Sequence, residues 1–519
     1  MRLQKLEFSE THSFSSFFLD YIQKKDSLKP FYSHFPQVEN FKAQIAEKSK
    51  AYSAANRNIL AEALLKQYQE VDLSEPVKQN LNSLKENTTF TITTGHQLNI
   101  FTGPLYFIYK IVTVINVCKE LKKQYPQYNF VPVYWMASED HDYEEIKYFR
   151  LYGKKYVWET AQTGAVGRFN PESIKTLFNE IPGDIELFKN AYRQKTLSAA
   201  VRYYVNALFS QEGLLVVDAD DRALKTLFQD VIRQDVFEHT PKKLVSDQNS
   251  KLESLGYQPQ VFARDINFFY LDKNLRSRLE LLGDTFQVVD TPLQFTKAEI
   301  EKMIEEEPEK FSPNVILRPL YQEVILPNLA YAGGPAEVVY WLQLKKVFDH
   351  FKVPFPVLMP RNFALIIDAP VSRKFEKTGL EYPHLFEEKN FLFNQWIVKN
   401  TVHNLSLGKE IQAIANLYSG IRDQAATIDP TLIKFIEAQK QRALNALTKA
   451  EQKMTRAEKR LHSDKLGQLE AVKEELFPKG SPQERVDNFL NFYQKDPHFI
   501  DQLLTQFDPF DFKFNLLFY

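Results

Sequence analysis

Three stretches of this chain carry residue types that can do chemistry at spacings that would let them work together. The first is Thr93-Thr-Gly-His-Gln-Leu-Asn-Ile-Phe-Thr-Gly-Pro104. Its glycines, Gly95 and Gly103, allow a ligand close to the backbone because they carry no Cβ. Thr94, His96, Gln97 and Thr102 add hydrogen-bonding groups that could meet a phosphate or a ribose. The loop is neither a Walker loop nor a Gly-x-Gly-x-x-Gly dinucleotide loop, and an ordinary strand-to-helix turn explains its two glycines about as well. The second is Ala137-Ser-Glu-Asp-His-Asp142. Four consecutive ionisable groups, Glu139, Asp140, His141 and Asp142, are costly to bury unless they serve a ligand. A carboxylate there can hold an ammonium, act as a general base or help bind Mg²⁺, and His141 can move a proton near neutral pH. The acidic residues that follow, Glu144 and Glu145, are explained by a helix dipole alone. The third runs from Phe311 through Arg318 to Tyr331-Ala-Gly-Gly-Pro-Ala-Glu337. Arg318 stands among apolar residues and needs an anionic partner, a carboxylate or a phosphate. Gly333 and Gly334 make a second turn ahead of a helix, with Glu337 in that helix's first turn.

The elements around these stretches place them at one edge of a sheet. Phe90 to Thr94 reads as a strand, a helix is expected from about Pro104, and Phe130 to Met136 reads as a second strand. Strand, helix and strand in that span form a βαβ unit, so the sheet is parallel and covered by helices. Ligands of such sheets bind beyond the carboxyl ends of the strands, where a helix N-terminus offers free N–H groups to an anion. Further strands are expected at Leu214–Asp218, Glu323–Pro327 and Phe355–Met359, with a helix from about Ala336 to Phe351. Lys110 falls on the face opposite Ile108 and Ile115, which predicts a solvated side chain. From Leu432 to Leu476, Leu447, Ala450, Met454, Ala457 and Leu461 keep a 3-4 spacing that resumes at Leu469 after a slip. That pattern predicts a coiled-coil arm whose partner is a second copy of the chain. The expected domains are a mainly helical segment over 1–87, an α/β core over 88–380 with insertions near 150–210 and 236–310, and a helical region over 381–519 carrying the arm at 432–476.

Composition narrows the classes further. Lys plus Arg total 65 against 66 Asp plus Glu, so no excess of positive charge calls for nucleic acid or an anionic membrane. The longest apolar run, Leu105 to Val117, is interrupted by Lys110 and too short to span a bilayer. A single cysteine, Cys118, excludes an intramolecular disulfide and a thiolate zinc site, and its apolar surroundings mark it as a core residue. The expected setting is the reducing cytoplasm. No Ser-His-Asp or Cys-His arrangement stands out, and no histidine pair has metal-ligand spacing, so no metal site is assigned.

Taken in order, Thr-Gly-His-Gln with Phe-Thr-Gly-Pro-Leu-Tyr (94–106), Ser-Glu-Asp-His-Asp-Tyr-Glu-Glu-Ile (138–146), Phe-Ser-Pro-Asn-Val with Arg-Pro and Gly-Gly-Pro-Ala-Glu (311–337), and Pro-Phe-Pro-Val-Leu-Met-Pro-Arg (354–361) resemble the bacillithiol biosynthesis cysteine-adding enzyme family. The resemblance covers most of the chain. It implies a Rossmann-like core similar to class I aminoacyl-tRNA synthetases, with connecting insertions and a coiled coil that makes a homodimer. It also implies a ligase that adds L-cysteine to glucosaminyl-malate, with ATP as the activating nucleotide and Mg²⁺ as its companion. By the same analogy Thr94, Gly95, His96 and Gln97, with Thr102 and Gly103, hold the nucleotide. Glu139, Asp140, His141 and Asp142 act on the amine, and Arg318, Tyr331, Gly333, Gly334 and Glu337 hold substrate. The second synthetase signature, Lys-Met-Ser-Lys-Ser, has only a faint echo at Ser372-Arg-Lys374. Two other readings fit the same residues: a different adenylate-forming or nucleotidyl-transfer enzyme on this core, or a dimeric scaffold that binds ligand without chemistry.

Overall fold

A computed structural model describes residues 2–519. Its centre is a sheet of five parallel strands: β1 (Thr89–His96), β2 (Asn129–Met136), β3 (Leu215–Asp218), β4 (Asn328–Gly333) and β5 (Val357–Pro360). They lie in the spatial order β5-β4-β1-β2-β3. That order reverses between β1 and β4, which makes the carboxyl ends of those two strands the switch point where α/β sheets open a crevice. Every residue of β1 is buried, as expected of a parallel strand covered on both faces. Its threonines are tolerated because their hydroxyls are satisfied within the sheet: Thr91 and Thr93 both donate to Asn328 Oδ1, at 3.1 and 2.8 Å.

Helix α1 (Tyr106–Gln124) follows β1 and is buried almost all round. It packs on β1 and β2 with one side and on the helix Phe499–Gln506 with another. A helix covered on all sides has no solvated face. Lys110 is therefore only 4% exposed, which overturns the solvated position expected of it. A second correction concerns Glu323–Pro327, where a helix, α2 (Arg318–Ile325), replaces the expected strand. Leu317, Tyr321 and Ile325 recur every four residues, Leu320 lies three from Leu317, all four are buried, and Pro319 sits in the first turn, where a missing N–H costs nothing. Glu323 instead forms a buried ion pair with Lys48, 3.2 Å apart. After β4 comes α3 (Pro335–Leu342), which ends before a separate helix, Lys345–His350, so the single helix expected over this span is broken in two.

The insertions build their own units against this edge. Residues 268–313 supply an antiparallel sheet in the order Gln294–Thr296, Thr285–Val288, Leu275–Leu282, Phe268–Asp272 and Phe311–Pro313. Beyond β5 the strand Phe363–Ile367 leaves the central sheet and pairs with Lys513–Phe518, which also pairs with Arg2–Glu7. The segment expected to be mainly helical thus opens with a strand that joins both chain ends. In the C-terminal region, α4 (Gly408–Ile428) and α5 (Leu432–Leu461) pack along each other as a hairpin within one chain. The slip in spacing is a break at His462. Beyond it α6 (Ser463–Leu476) buries Leu466, Leu469, Val472 and Leu476, partly against the helix Ala369–Glu376. No helix among the described residues is long and apolar enough to cross a membrane.

Candidate functional site

The first and third motifs meet at the switch point through the lysine that was expected to face solvent. Lys110 Nζ donates to the Gly95 carbonyl oxygen at 2.7 Å and lies 2.6 Å from Glu337 Oε2. Glu337 also accepts from Tyr331 Oη, at 2.6 Å, and from the Gly334 N–H, at 2.8 Å. Burial opposes the Glu337 charge, but Lys110 and these hydrogen bonds outweigh it and hold the carboxyl at about 2. Gly95 packs closely on the same tyrosine: a Cβ there would sit 3.3 Å from Tyr331 Oη. Tyr331 stacks on Trp341 at 4.5 Å, which fixes its ring. Arg318 reaches Tyr340 Oη at 3.2 Å and meets no carboxylate within the chain among the described residues. Its remaining N–H donors are available to an anionic ligand.

The second motif projects from β2 and forms a clamp with the first. Gln97 Nε2 donates to Asp140 Oδ2 at 2.8 Å, and the His141 N–H donates to Asp140 Oδ1 at 2.7 Å. Arg276, from the inserted sheet, lies 3.5 Å from Asp140 Oδ1 and 2.6 Å from His141 Nδ1. It is seated 3.9 Å above the Phe269 ring. Burial raises Asp140, but Arg276 and Gln97 overcome this and hold the carboxyl below its ordinary value. A guanidinium has no lone pair to offer, so His141 Nδ1 must accept and the ring carries its proton on Nε2. Burial, and then Arg276, lower the His141 pKa, so the neutral ring is a donor at Nε2. Glu139 turns the other way, into a buried ion pair with Lys225, whose Nζ also donates to the Phe311 carbonyl at 2.6 Å. Burial pushes Glu139 up to about 7 in spite of Lys225. Asp142 is exposed beside the clamp.

Several residues assigned to a nucleotide are occupied otherwise. Thr94 is buried and donates to the Ala332 carbonyl at 2.7 Å, which ties β1 to β4. Thr102 is buried beneath Asn488. The amides at the start of α1 are also spent: Phe101 N–H on Tyr192 Oη, Gly103 on Ile100, Leu105 on Asp487 and Phe107 on Pro104. The loop therefore does not form the free anion cradle that its sequence predicts, because the chain near Asp487 covers it. Phe101, Thr102 and Gly103 have φ of 51°, 69° and 64°, three successive left-handed residues. Asn488 Nδ2 holds them by donating to the carbonyls of Phe101 and Gly103, at 2.7 and 2.6 Å. A Cβ on Gly103 would meet Asn99 Cβ at 2.4 Å. Gly103→Ala is expected to lose about 2–4 kcal/mol of stability, and an unchanged urea midpoint would refute this. No group of three or more His, Cys, Asp or Glu side chains is arranged to hold a metal among the described residues.

Three residues of the site escaped the sequence. Lys110 was masked by an amphipathic reading of a helix that is buried all round. Arg276 and Lys225 lie on an inserted strand and a short helix, and no local pattern indicates which edge of the core they face.

Comparison with known proteins bears on the whole chain. Residues 1–362 match the family model "Bacillithiol biosynthesis BshC, N-terminal Rossmann-like domain", and residues 364–519 match "Bacillithiol biosynthesis BshC, C-terminal coiled-coil domain". A protein of Flavobacterium psychrophilum named "Putative cysteine ligase BshC" is 39% identical, over 99% of this chain and 98% of its own. One of the same name from Flavobacterium johnsoniae is 40% identical, over 97% of each chain. A solved Campylobacter jejuni chain titled "putative arginyl t-RNA synthetase" aligns at 8% identity over 84% of this chain and 98% of its own, with a TM-score of 0.21, too slight a likeness to carry an argument. Matched from end to end by its two domains, and bearing the three motifs at one sheet edge, this chain belongs to the bacillithiol biosynthesis BshC family.

Proposed function

We propose that the protein is a ligase that joins the carboxyl group of L-cysteine to the amine of glucosaminyl-malate, the last step of bacillithiol synthesis. The observation that carries this reading is the Asp140 clamp. A carboxylate held by Gln97, Arg276 and a backbone N–H at a strand end keeps its charge and its place, as the binding of a substrate ammonium requires. In the reaction a C–N bond forms between that amine and the activated cysteine carboxyl carbon, and the activating group leaves from the same carbon. His141 donates its Nε2 hydrogen to the oxygen on which negative charge develops. The ammonium must shed two protons, one to free the lone pair that attacks and one as the amide forms; Asp142, exposed beside the clamp, accepts the first, and the second passes to solvent. Arg318 holds a substrate carboxylate with the donors that Tyr340 leaves free. ATP is the activator we propose, since a carboxylate reacts with an amine only after conversion to an acyl phosphate or acyl adenylate, a mixed anhydride with a good leaving group. Its phosphates cannot use the amides of Phe101, Gly103 and Leu105 or the Gly334 N–H, which are spent within the chain, and Mg²⁺ would accompany those phosphates.

We also propose that two copies associate through the α4–α5 hairpin. Leu417, Ile428 and Phe435 are 58%, 76% and 58% exposed there, an apolar face that one chain leaves uncovered. Purified protein incubated with glucosaminyl-malate, cysteine, ATP and Mg²⁺ should yield a product at the mass of bacillithiol, and light scattering should give twice the chain mass. Folded protein that binds both substrates and makes no product would overturn the ligase reading. A monomer would overturn the dimer.

A further inference from the structure

The outer side of the first loop walls a second cavity, of about 360 Å³, that the clamp does not use. His96, Gln97, Tyr106, Glu145, Arg150 and Arg485 contribute to its lining. Arg150 and Arg485 make no ion pair and no side-chain hydrogen bond among the described residues. Asp487 is near enough to feel the Arg150 charge, but no ion pair forms between them. The other side of the cavity presents the opposite need. His96 Nδ1 lies 2.8 Å from the Gln97 carbonyl oxygen, an acceptor, so Nδ1 carries the hydrogen and Nε2 holds a lone pair. Burial, and then Lys110, lower this imidazole to about 3, so it is neutral. His96 is only 7% exposed. Its Nε2 and the Oε1 of Gln97 are both buried and have no partner among the described residues. Two unsatisfied buried acceptors are costly unless a ligand brings donors, and Arg150, partly exposed, and Arg485, exposed, have their guanidiniums free to pair with its negative charge.

We infer that this cavity takes the carboxylate-bearing end of a hydroxylated small molecule, with Arg150 and Arg485 on its carboxylates and His96 Nε2 and Gln97 Oε1 accepting from its hydroxyls. Its size suits a ligand of that kind. Gln97 connects it to the clamp, because the side chain that lines the cavity also donates to Asp140. Resting on the ligase reading, the inference gives the acceptor its orientation: the amine lies at Asp140, the sugar passes Gln97, and the malyl carboxylates lie between the two arginines.

The test is calorimetric titration of L-malate into the full-length protein and into the Arg150→Gln/Arg485→Gln variant, with glucosamine as the uncharged-end control. Malate is expected to bind the unaltered protein and to bind the variant roughly 10- to 100-fold more weakly, while glucosamine binding and the thermal midpoint stay the same. The KM for glucosaminyl-malate should rise by a similar factor with kcat retained. Equal malate binding by the two proteins, or none by either at millimolar concentration, would overturn the inference. Because the titration needs no turnover, it separates the two readings. Malate binding that depends on the arginines without product formation leaves this site standing and removes the ligase. Product formation with equal malate binding by both proteins does the reverse.

Discussion

Lys110→Met is expected to cost about 3–5 kcal/mol of stability, because it leaves the Glu337 carboxylate largely buried without its countercharge. The methionine stem fills the space of the lysine, so the loss is electrostatic and not a cavity effect. The Lys110→Met/Glu337→Gln variant should recover part of that stability, since no lone charge is then buried, and a double-mutant cycle measures the coupling. The same pair gives the acid limb of the stability curve a specific origin. Glu337 has an ordinary value of 4.5 and is held at about 2 in the folded chain. The unfolded chain thus takes up the proton first as pH falls. The resulting stabilisation is fully present above about pH 4.5, fades below it and is gone once the pH falls through 2. Its size is about 3 kcal/mol. Urea unfolding of the unaltered and Glu337→Gln proteins between pH 3 and pH 7 checks this. Parallel curves would mean that the Lys110 contact contributes nothing.

Asp140→Ala is expected to lower turnover by roughly 10²- to 10⁴-fold, the range in which positioned acid, base and charge-pairing groups act. The loss should appear in kcat/KM for the amine substrate, and the thermal midpoint should fall as well, because Arg276, whose side chain is only 7% exposed, loses its carboxylate partner. Its removal also frees Gln97 and Arg276, so His141 loses the arrangement that sets its tautomer. Asp140→Asn separates the two effects. It keeps a hydrogen-bonding shape near Gln97 while losing the charge, so a result close to Ala assigns the role to charge, and one close to the unaltered enzyme assigns it to position. Unchanged turnover in Asp140→Ala would remove Asp140 from the mechanism.

Much of this site was legible in the residues themselves. Strand-forming runs ending in Thr-Gly-His-Gln and in Ser-Glu-Asp-His-Asp place both motifs at strand carboxyl ends, since parallel pairing follows from a βαβ connection. The β1–α1–β2 unit, β3 and the long C-terminal helices follow from local spacing, because backbone periodicity and side-chain burial are properties of neighbours in sequence. Glu323–Pro327 was misread because a short apolar run has no decisive period, and Lys110 because one charged residue on an apolar helix looks solvated until the covering elements are known. What only the tertiary structure decided is which distant groups neutralise each charge. Glu337 comes to Lys110, Arg276 to Asp140, Lys225 to Glu139 and Asn488 to the strained loop, across separations from 86 to 387 residues for the hydrogen-bonded pairs Lys225–Glu139 and Asn488–Phe101. The Arg276 and Asn488 contacts depend on how an insertion and the C-terminal segment fold back onto the sheet edge, and the Lys110–Glu337 and Lys225–Glu139 pairs on how core elements pack beside adjacent strands. That is set by the packing of whole surfaces, and no local pattern in the chain encodes it.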